Sequence, residues 1–194
     1  MTFEVTRQES YSRGELLLRS IFGWFYILLP HTFLLLFLGI WSSILSFISF
    51  LIVLFTGSYP ESFFDYQVKL MRWYTRLNLR IYNLSDGYPA FGLDAEDEAF
   101  KLDVPYPESL SRVTLLVKFF FGMLYVILPH MFILYFRFLW MYILIFLAWW
   151  VVLFTGSYPE SWHKFNVGTL RWMLRVNLYY PLYMTDTYPP FSGK

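Results

Sequence analysis

LFTGSYPES occupies Leu54 to Ser62 and returns unchanged at Leu153 to Ser161, 99 residues on and in both places at the end of a long apolar run. The match extends far beyond that phrase. At the same offset YILLPH (Tyr26 to His31) falls on YVILPH (Tyr125 to His130), and RWYTRLNL (Arg72 to Leu79) falls on RWMLRVNL (Arg171 to Leu178). Near the end the offset becomes 100, where DGYPAF (Asp86 to Phe91) meets DTYPPF (Asp186 to Phe191), so one residue is inserted late in the second copy. Self-similarity at a fixed period marks an internal duplication. It divides the chain into residues 1–92, an acidic linker 93–103 and residues 104–194.

The composition places both copies in a membrane. Of 194 residues 57% are hydrophobic, 24% are aromatic and only 15% are charged, with a mean hydropathy of +0.46. Soluble domains carry about 25% charge. The excess of Tyr and Trp suits the headgroup level, where a ring with a polar tip is amphipathic. No cysteine is present, which excludes disulfides and thiolate metal sites. The polar residues before the first apolar run, Glu4, Arg7, Glu9 and Arg13 among them, are unlike a secretion signal.

Each apolar run exceeds one span. Glu15 to Leu38 and Ile40 to Phe55 read as an outbound and a return segment broken at Gly39 to Ser43, and Val113 to Phe136 and Leu139 to Phe154 do the same around Arg137. A segment of about 24 residues rises roughly 36 Å, enough for a hydrocarbon core of about 30 Å. The fold expected is therefore all-α and integral to the membrane: two tandem helical hairpins with four membrane segments, the shorter return segments being spanning or re-entrant. Lys and Arg concentrate before, between and after the hairpins, which by the positive-inside rule is expected to make a multi-pass protein with both termini cytoplasmic.

After the shared phrase Phe63, Tyr66, Leu70, Trp73, Leu77 and Ile81 recur at helical spacing, opposite Lys69, Arg72, Arg76 and Arg80. The second copy sets Phe165, Trp172 and Val176 against Lys164, Arg171 and Arg175. Such amphipathic helices are expected to lie in the cytoplasmic interface, their basic faces toward anionic headgroups. The phrase itself then reads as a vertical-to-horizontal corner. Thr56, Gly57, Tyr59 and Pro60, and likewise Thr155, Gly156, Tyr158 and Pro159, supply a sharp turn, an interfacial anchor and a helix start.

These residues resemble a family of bacterial membrane proteins grouped as domain of unknown function 4389. The resemblance rests on Pro129 and His130 in a membrane helix, the corner Thr155, Gly156, Tyr158 and Pro159, the helix motif Arg171, Trp172 and Arg175, and the close Asp186, Tyr188, Pro189, Pro190 and Phe191. The first copy departs once, with Ala90 in place of the second proline. The resemblance covers nearly the whole chain and implies no catalytic residues.

Polar groups at depth are the remaining candidates. His31 and His130 sit about sixteen residues into their helices, and Pro30 and Pro129 deprive the carbonyls of Tyr26 and Tyr125 of their helical donors. Packing against neighbouring helices, a proton or ion path, and metal or haem ligation are the three uses of such imidazoles. Arg137 at the hairpin tip is expected to snorkel to headgroups. Ser12 and Glu15 have capping-box spacing, and the acidic linker reads as solvated. No nucleophile triad, deep carboxylate pair or cofactor loop occurs, and a net charge of +1 argues against nucleic acid. The expected role is non-enzymatic and without cofactor: an accessory or scaffold subunit that binds anionic lipid and joins a larger membrane complex or a homo-oligomer. The rival is a transporter or channel component using the histidines.

Overall fold

The computed structural model describes residues 1–194 and contains four helices and one two-stranded ribbon. In chain order these are β1 (Thr2–Val5), α1 (Arg13–Thr56), α2 (Glu61–Ile81), β2 (Phe100–Asp103), α3 (Arg112–Thr155) and α4 (Glu160–Tyr179). Two helices, α1 and α3, are long and apolar enough to cross a membrane.

The expected hairpins do not form. Each copy has one continuous helix of 44 residues where two shorter segments were expected, α1 running straight through Gly39 to Ser43 and α3 through Arg137. Nothing at those positions removes a backbone donor, and Ser43 Oγ donates to the Gly39 carbonyl 3.0 Å away, so the small polar residues are satisfied inside the helix. Gly39 is small because Tyr74 of α2 crosses there: a Cβ would come within 3.2 Å of its hydroxyl. The real irregularity lies earlier, in single π-helical turns at Trp24–Leu28 and Met123–Ile127, just ahead of Pro30 and Pro129. A widened turn relieves the clash of a proline ring with the preceding turn.

Both long helices begin at a serine cap, Ser12 Oγ accepting from Glu15 N and Ser111 Oγ from Thr114 N. The reciprocal half of the expected box is made differently: Asp86 accepts from Ser12 N at 2.6 Å, and Glu15 turns to Gly87 N. Both end at a glycine in the left-handed region, Gly57 at φ +78° and Gly156 at φ +73°, a conformation that favours glycine. Thr56 and Thr155 brace these turns by accepting from Ser58 N and Ser157 N.

The turn is tighter than a corner into the membrane plane. α2 folds back antiparallel along α1, its Gln67, Tyr66 and Tyr74 bonding at Ser42, Leu38 and Leu35, and α4 does the same along α3. Tyr59 and Tyr158, expected as interfacial anchors, are instead core residues, each 1% exposed. The apolar side chains of α2 and α4 are covered by protein. Leu70, Trp73 and Leu77 close on Ile27 and Leu35; Trp172 and Val176 close on Val126 and Leu134.

The copies are joined by a pseudo-two-fold axis. Tyr11 N donates to the Gly156 carbonyl at 2.8 Å and Leu110 N to the Gly57 carbonyl at 2.7 Å, so the start of each copy seats on the corner of the other. The ribbon repeats that symmetry, β1 pairing with β2 in an antiparallel register that sets Phe3 opposite Leu102. Arg72 of α2 donates to the Leu102 carbonyl, and its counterpart Arg171 of α4 to that of Phe3. Each of these pairs is reciprocal at the 99-residue offset, as in an isologous dimer made within one chain. The acidic linker is thereby structured: Phe100–Asp103 is a strand, and Asp97 pairs with Arg80 at 2.8 Å, both nearly buried.

Candidate functional site

The closing motif of each copy returns along its own long helix and touches it at three levels. Asp86 accepts from Ser12 N and pairs with Arg19 at 3.0 Å; Asp186 accepts from Ser111 N and pairs with Lys118 at 2.9 Å. Arg19 and Lys118 are 8% and 1% exposed, and each also donates to a neighbouring carbonyl, Ser85 or Thr185. One level up, the Tyr88 hydroxyl donates to the Tyr26 carbonyl at 2.9 Å and the Tyr188 hydroxyl to that of Tyr125 at 2.8 Å. These are the acceptors that the prolines leave without a donor, and the tyrosines of the closing motif satisfy them.

At the third level are the histidines. His31 and His130 are fully buried, Nδ1 of each accepting from an indole N–H, Trp73 Nε1 or Trp172 Nε1, at 2.8 Å in both copies. Phe91 stacks on His31 with ring centres 4.0 Å apart and planes 6° from parallel, and Phe191 on His130 at 4.0 Å and 4°. Tyr88 and Tyr188 close the third side. An indole only donates, so Nδ1 is the unprotonated nitrogen and the neutral ring carries its hydrogen on Nε2. An imidazolium would set donor against donor. Nε2 of both rings meets no hydrogen-bond partner. The two histidines share neither a hydrogen bond nor an aromatic contact, and no group of three or more His, Cys, Asp or Glu side chains is placed to hold a metal.

The basic stripes have partners too. Arg76, 1% exposed, donates to the carbonyls of Ala90, Gly92 and Ala95, and burial lowers its pKa. Arg175 donates to Ser192 and Lys194, and Arg171 to Gly193 as well as Phe3. Lys69 and Lys164 remain on the surface, paired with Asp94 and Glu160. The side chains expected to face anionic headgroups thus mostly tie the loops to the helices, because a guanidinium offers five donors to a loop full of free carbonyls. Arg137 is not at a tip. It leaves the middle of α3, donates to Thr169 Oγ1, and lies over Phe165 at 4.3 Å and Trp172 at 5.6 Å.

Sequence reasoning found the histidines and prolines but not their partners. The tryptophan of the Arg-Trp motif lies 42 residues after its histidine in both copies, a constant spacing that carries the signal. His163 was also missed; it is 3% exposed, beside the Leu84 carbonyl at 3.3 Å, and burial lowers its pKa.

No curated protein and no solved structure matches the chain. A family profile does, and it does so twice, over residues 15–92 and 116–193. Each match runs from the first turns of a long helix to the closing motif, so the profile encloses one histidine, its tryptophan and its stacking phenylalanine per copy. The chain belongs to the family described as domain of unknown function (DUF4389) and carries that domain in two tandem copies.

Proposed function

We propose that this protein is a non-enzymatic, membrane-embedded accessory or scaffold subunit of the bacterial inner membrane, with both termini on the cytoplasmic side, that serves a larger membrane complex. One observation carries the reading: the two long helices turn an apolar surface outward while the polar side chains at depth are spent inward. In the most apolar window of α1 only 28% of residues are buried, and in that of α3 only 22%. The exposed remainder includes Phe22, Trp24, Phe25, Phe33, Phe37 and Trp41 in the first copy. Such a surface is stable only in lipid or against another apolar protein. Inside, the Asp–Arg and Asp–Lys pairs and the indole-bonded histidines hold the fold together. Of the basic stripes, Arg72, Arg76, Arg80, Arg171 and Arg175 have protein partners, so contact with anionic headgroups falls to Lys69 and Lys164, which stay on the surface.

Gentle extraction of tagged protein from native membranes, with mass spectrometry of all that is retained, tests the proposal. A reproducible stoichiometric membrane protein is the expected result. Monodisperse protein carrying only lipid would count against an accessory role.

A further inference from the structure

The direction of the pseudo-two-fold axis relative to a membrane follows from three separate features. The first is the ribbon. Residues opposite one another in an antiparallel pair point to the same face, so the axis relating β1 to β2 is perpendicular to the ribbon. Phe3 and Leu102 point inward, 2% and 3% exposed, whereas Glu4 and Lys101, also opposite one another, are exposed on the outer face. One pole of the axis is therefore charged. Beneath the ribbon the surroundings turn apolar, with a cavity of about 390 Å³ between α2 and α4 lined by Phe3, Met71, Phe138, Leu170 and Met173.

The second feature is the register of the long helices. Arg13 bonds the Phe154 carbonyl, Ser20 Oγ accepts from Trp149 Nε1, and Phe50 stacks on Phe119 with ring centres 4.8 Å apart. Residue numbers rise on one helix as they fall on the other at both ends, so α1 and α3 run antiparallel along their length. A two-fold axis preserves the component of a helix along itself and reverses the component across it. Antiparallel helices related by that axis lie across it. Had they run along it, Ser20 would neighbour Phe119.

The third feature is length. A helix of 44 residues extends about 66 Å at 1.5 Å per residue, roughly twice the hydrocarbon thickness of about 30 Å. An axis lying within the membrane plane would instead carry the outer face of the ribbon, with Glu4, Lys101 and Asp103, to mid-bilayer, at roughly 2.5–3.5 kcal/mol per charge.

We infer that α1 and α3 lie in the plane of the membrane among the acyl chains of a single leaflet, and that the ribbon, both termini and the linker face the adjoining water. This deepens the membrane reading above and rests on it. The axis then runs along the membrane normal, both copies present the same face to lipid, and no segment reaches the opposite side. The arrangement also accounts for a charge distribution that is alike in the two copies although their long helices point in opposite directions.

The absence of cysteine from the chain makes the test free of background. Single variants Glu9→Cys and Glu108→Cys, equivalent exposed positions ahead of the two long helices, are treated with a membrane-impermeant maleimide in intact spheroplasts and in inverted membranes. Lys101→Cys reports the outer face of the ribbon and Ser43→Cys the Gly39–Ser43 stretch of α1, where a hairpin would turn. Labelling of Glu9→Cys, Glu108→Cys and Lys101→Cys is expected in inverted membranes and lost in spheroplasts, with Ser43→Cys reactive from neither side. Opposite sidedness of Glu9→Cys and Glu108→Cys would mean that the helices cross, and labelling of Ser43→Cys from outside would mean that they turn back; either overturns the inference. Alkaline carbonate separates the two levels of the argument. Retention in the pellet is expected, and release would sink the membrane reading itself, whatever the labelling.

Discussion

The two copies fasten the same pair of helices by different chemistry. In the first, a buried polar set holds α2 to α1: the Gln67 side chain accepts from Ser42 Oγ at 2.5 Å and donates to the Ser42 carbonyl and to Ser46 Oγ. In the second the corresponding residues are Met141, Ile145 and Asn166, and Asn166 turns away to donate to the Tyr158 hydroxyl at 2.9 Å. There α4 is held by Arg137 lying over Phe165 and Trp172, while the C-terminal tail presses on the other side of the contact, Gly193 lying so close to Gly168 of α4 that a Cβ on either would collide. Around the histidines no such divergence occurs. The indole bond is 2.8 Å and the stacking distance 4.0 Å in both. The helix–helix contact tolerates any well-packed solution, whereas the Pro-His site admits one geometry, since a proline-freed carbonyl and a buried imidazole each need a particular partner.

The largest expected break in that comparison is at Arg80. Its ion pair with Asp97 is nearly buried and exists only in the first copy, where the second has Tyr179. Arg80→Met strands a buried carboxylate and is expected to cost about 3–5 kcal/mol. Tyr179→Phe, which loses one hydroxyl contact to Tyr125, costs about 1 kcal/mol. Thermal midpoints in detergent, followed by light scattering, compare the two; equal shifts would contradict the asymmetry.

At the histidines the prediction is equality. Trp73→Phe and Trp172→Phe each leave a buried Nδ1 without its donor, at about 1–3 kcal/mol, and the two losses agree closely because the histidine geometries agree and a phenyl ring in the second copy still offers Arg137 an aromatic face. A marked difference in thermal midpoint would show that the boxes are not equivalent.

Smaller again is the contrast at the helix contact. Gln67→Leu removes three hydrogen bonds and leaves Ser42 facing an apolar side chain, whereas Asn166→Leu removes one. The first is expected to cost about 1–3 kcal/mol and the second less, by the same measurement.

The smallest effect concerns pH. His163 belongs to the second copy alone, the first having Phe64. Burial holds its pKa below the ordinary 6.5. As pH falls past about 6.5 the unfolded chain takes up a proton that the folded chain refuses, so the stability present above that value declines on acidification. His163→Phe is expected to make the profile shallower between neutral and mildly acidic pH, the remaining slope belonging to the other two buried histidines. An unchanged slope would assign the dependence elsewhere.

Much of the candidate site was legible in the residues. The duplication, Pro30 with His31, and the Tyr26 carbonyl in want of a donor all follow from local rules, and the donor proved to be Tyr88. Its identity was not legible, because Tyr26 and Tyr88 are 62 residues apart and nothing local pairs them. The basic stripes misled for a related reason. Helical spacing shows that Arg72, Arg76 and Arg80 share a face but not what covers it, and loop carbonyls attract a guanidinium as phosphates do.

By itself the sequence determined that two equivalent apolar units exist, where each begins and ends, and that each proline leaves one carbonyl without its helical donor; caps, left-handed glycines and missing donors act within a few residues. The fold alone decided that Gly39 to Ser43 continues a helix, that α2 and α4 turn back as packed layers, and that the copies meet about one two-fold axis, the start of each on the corner of the other. Small polar residues suit a break or a helix equally well, and whichever lets Tyr74 pass Gly39 and Gln67 reach Ser42 prevails. Contacts between residues far apart in the chain make that choice, and they exist only once the chain has folded.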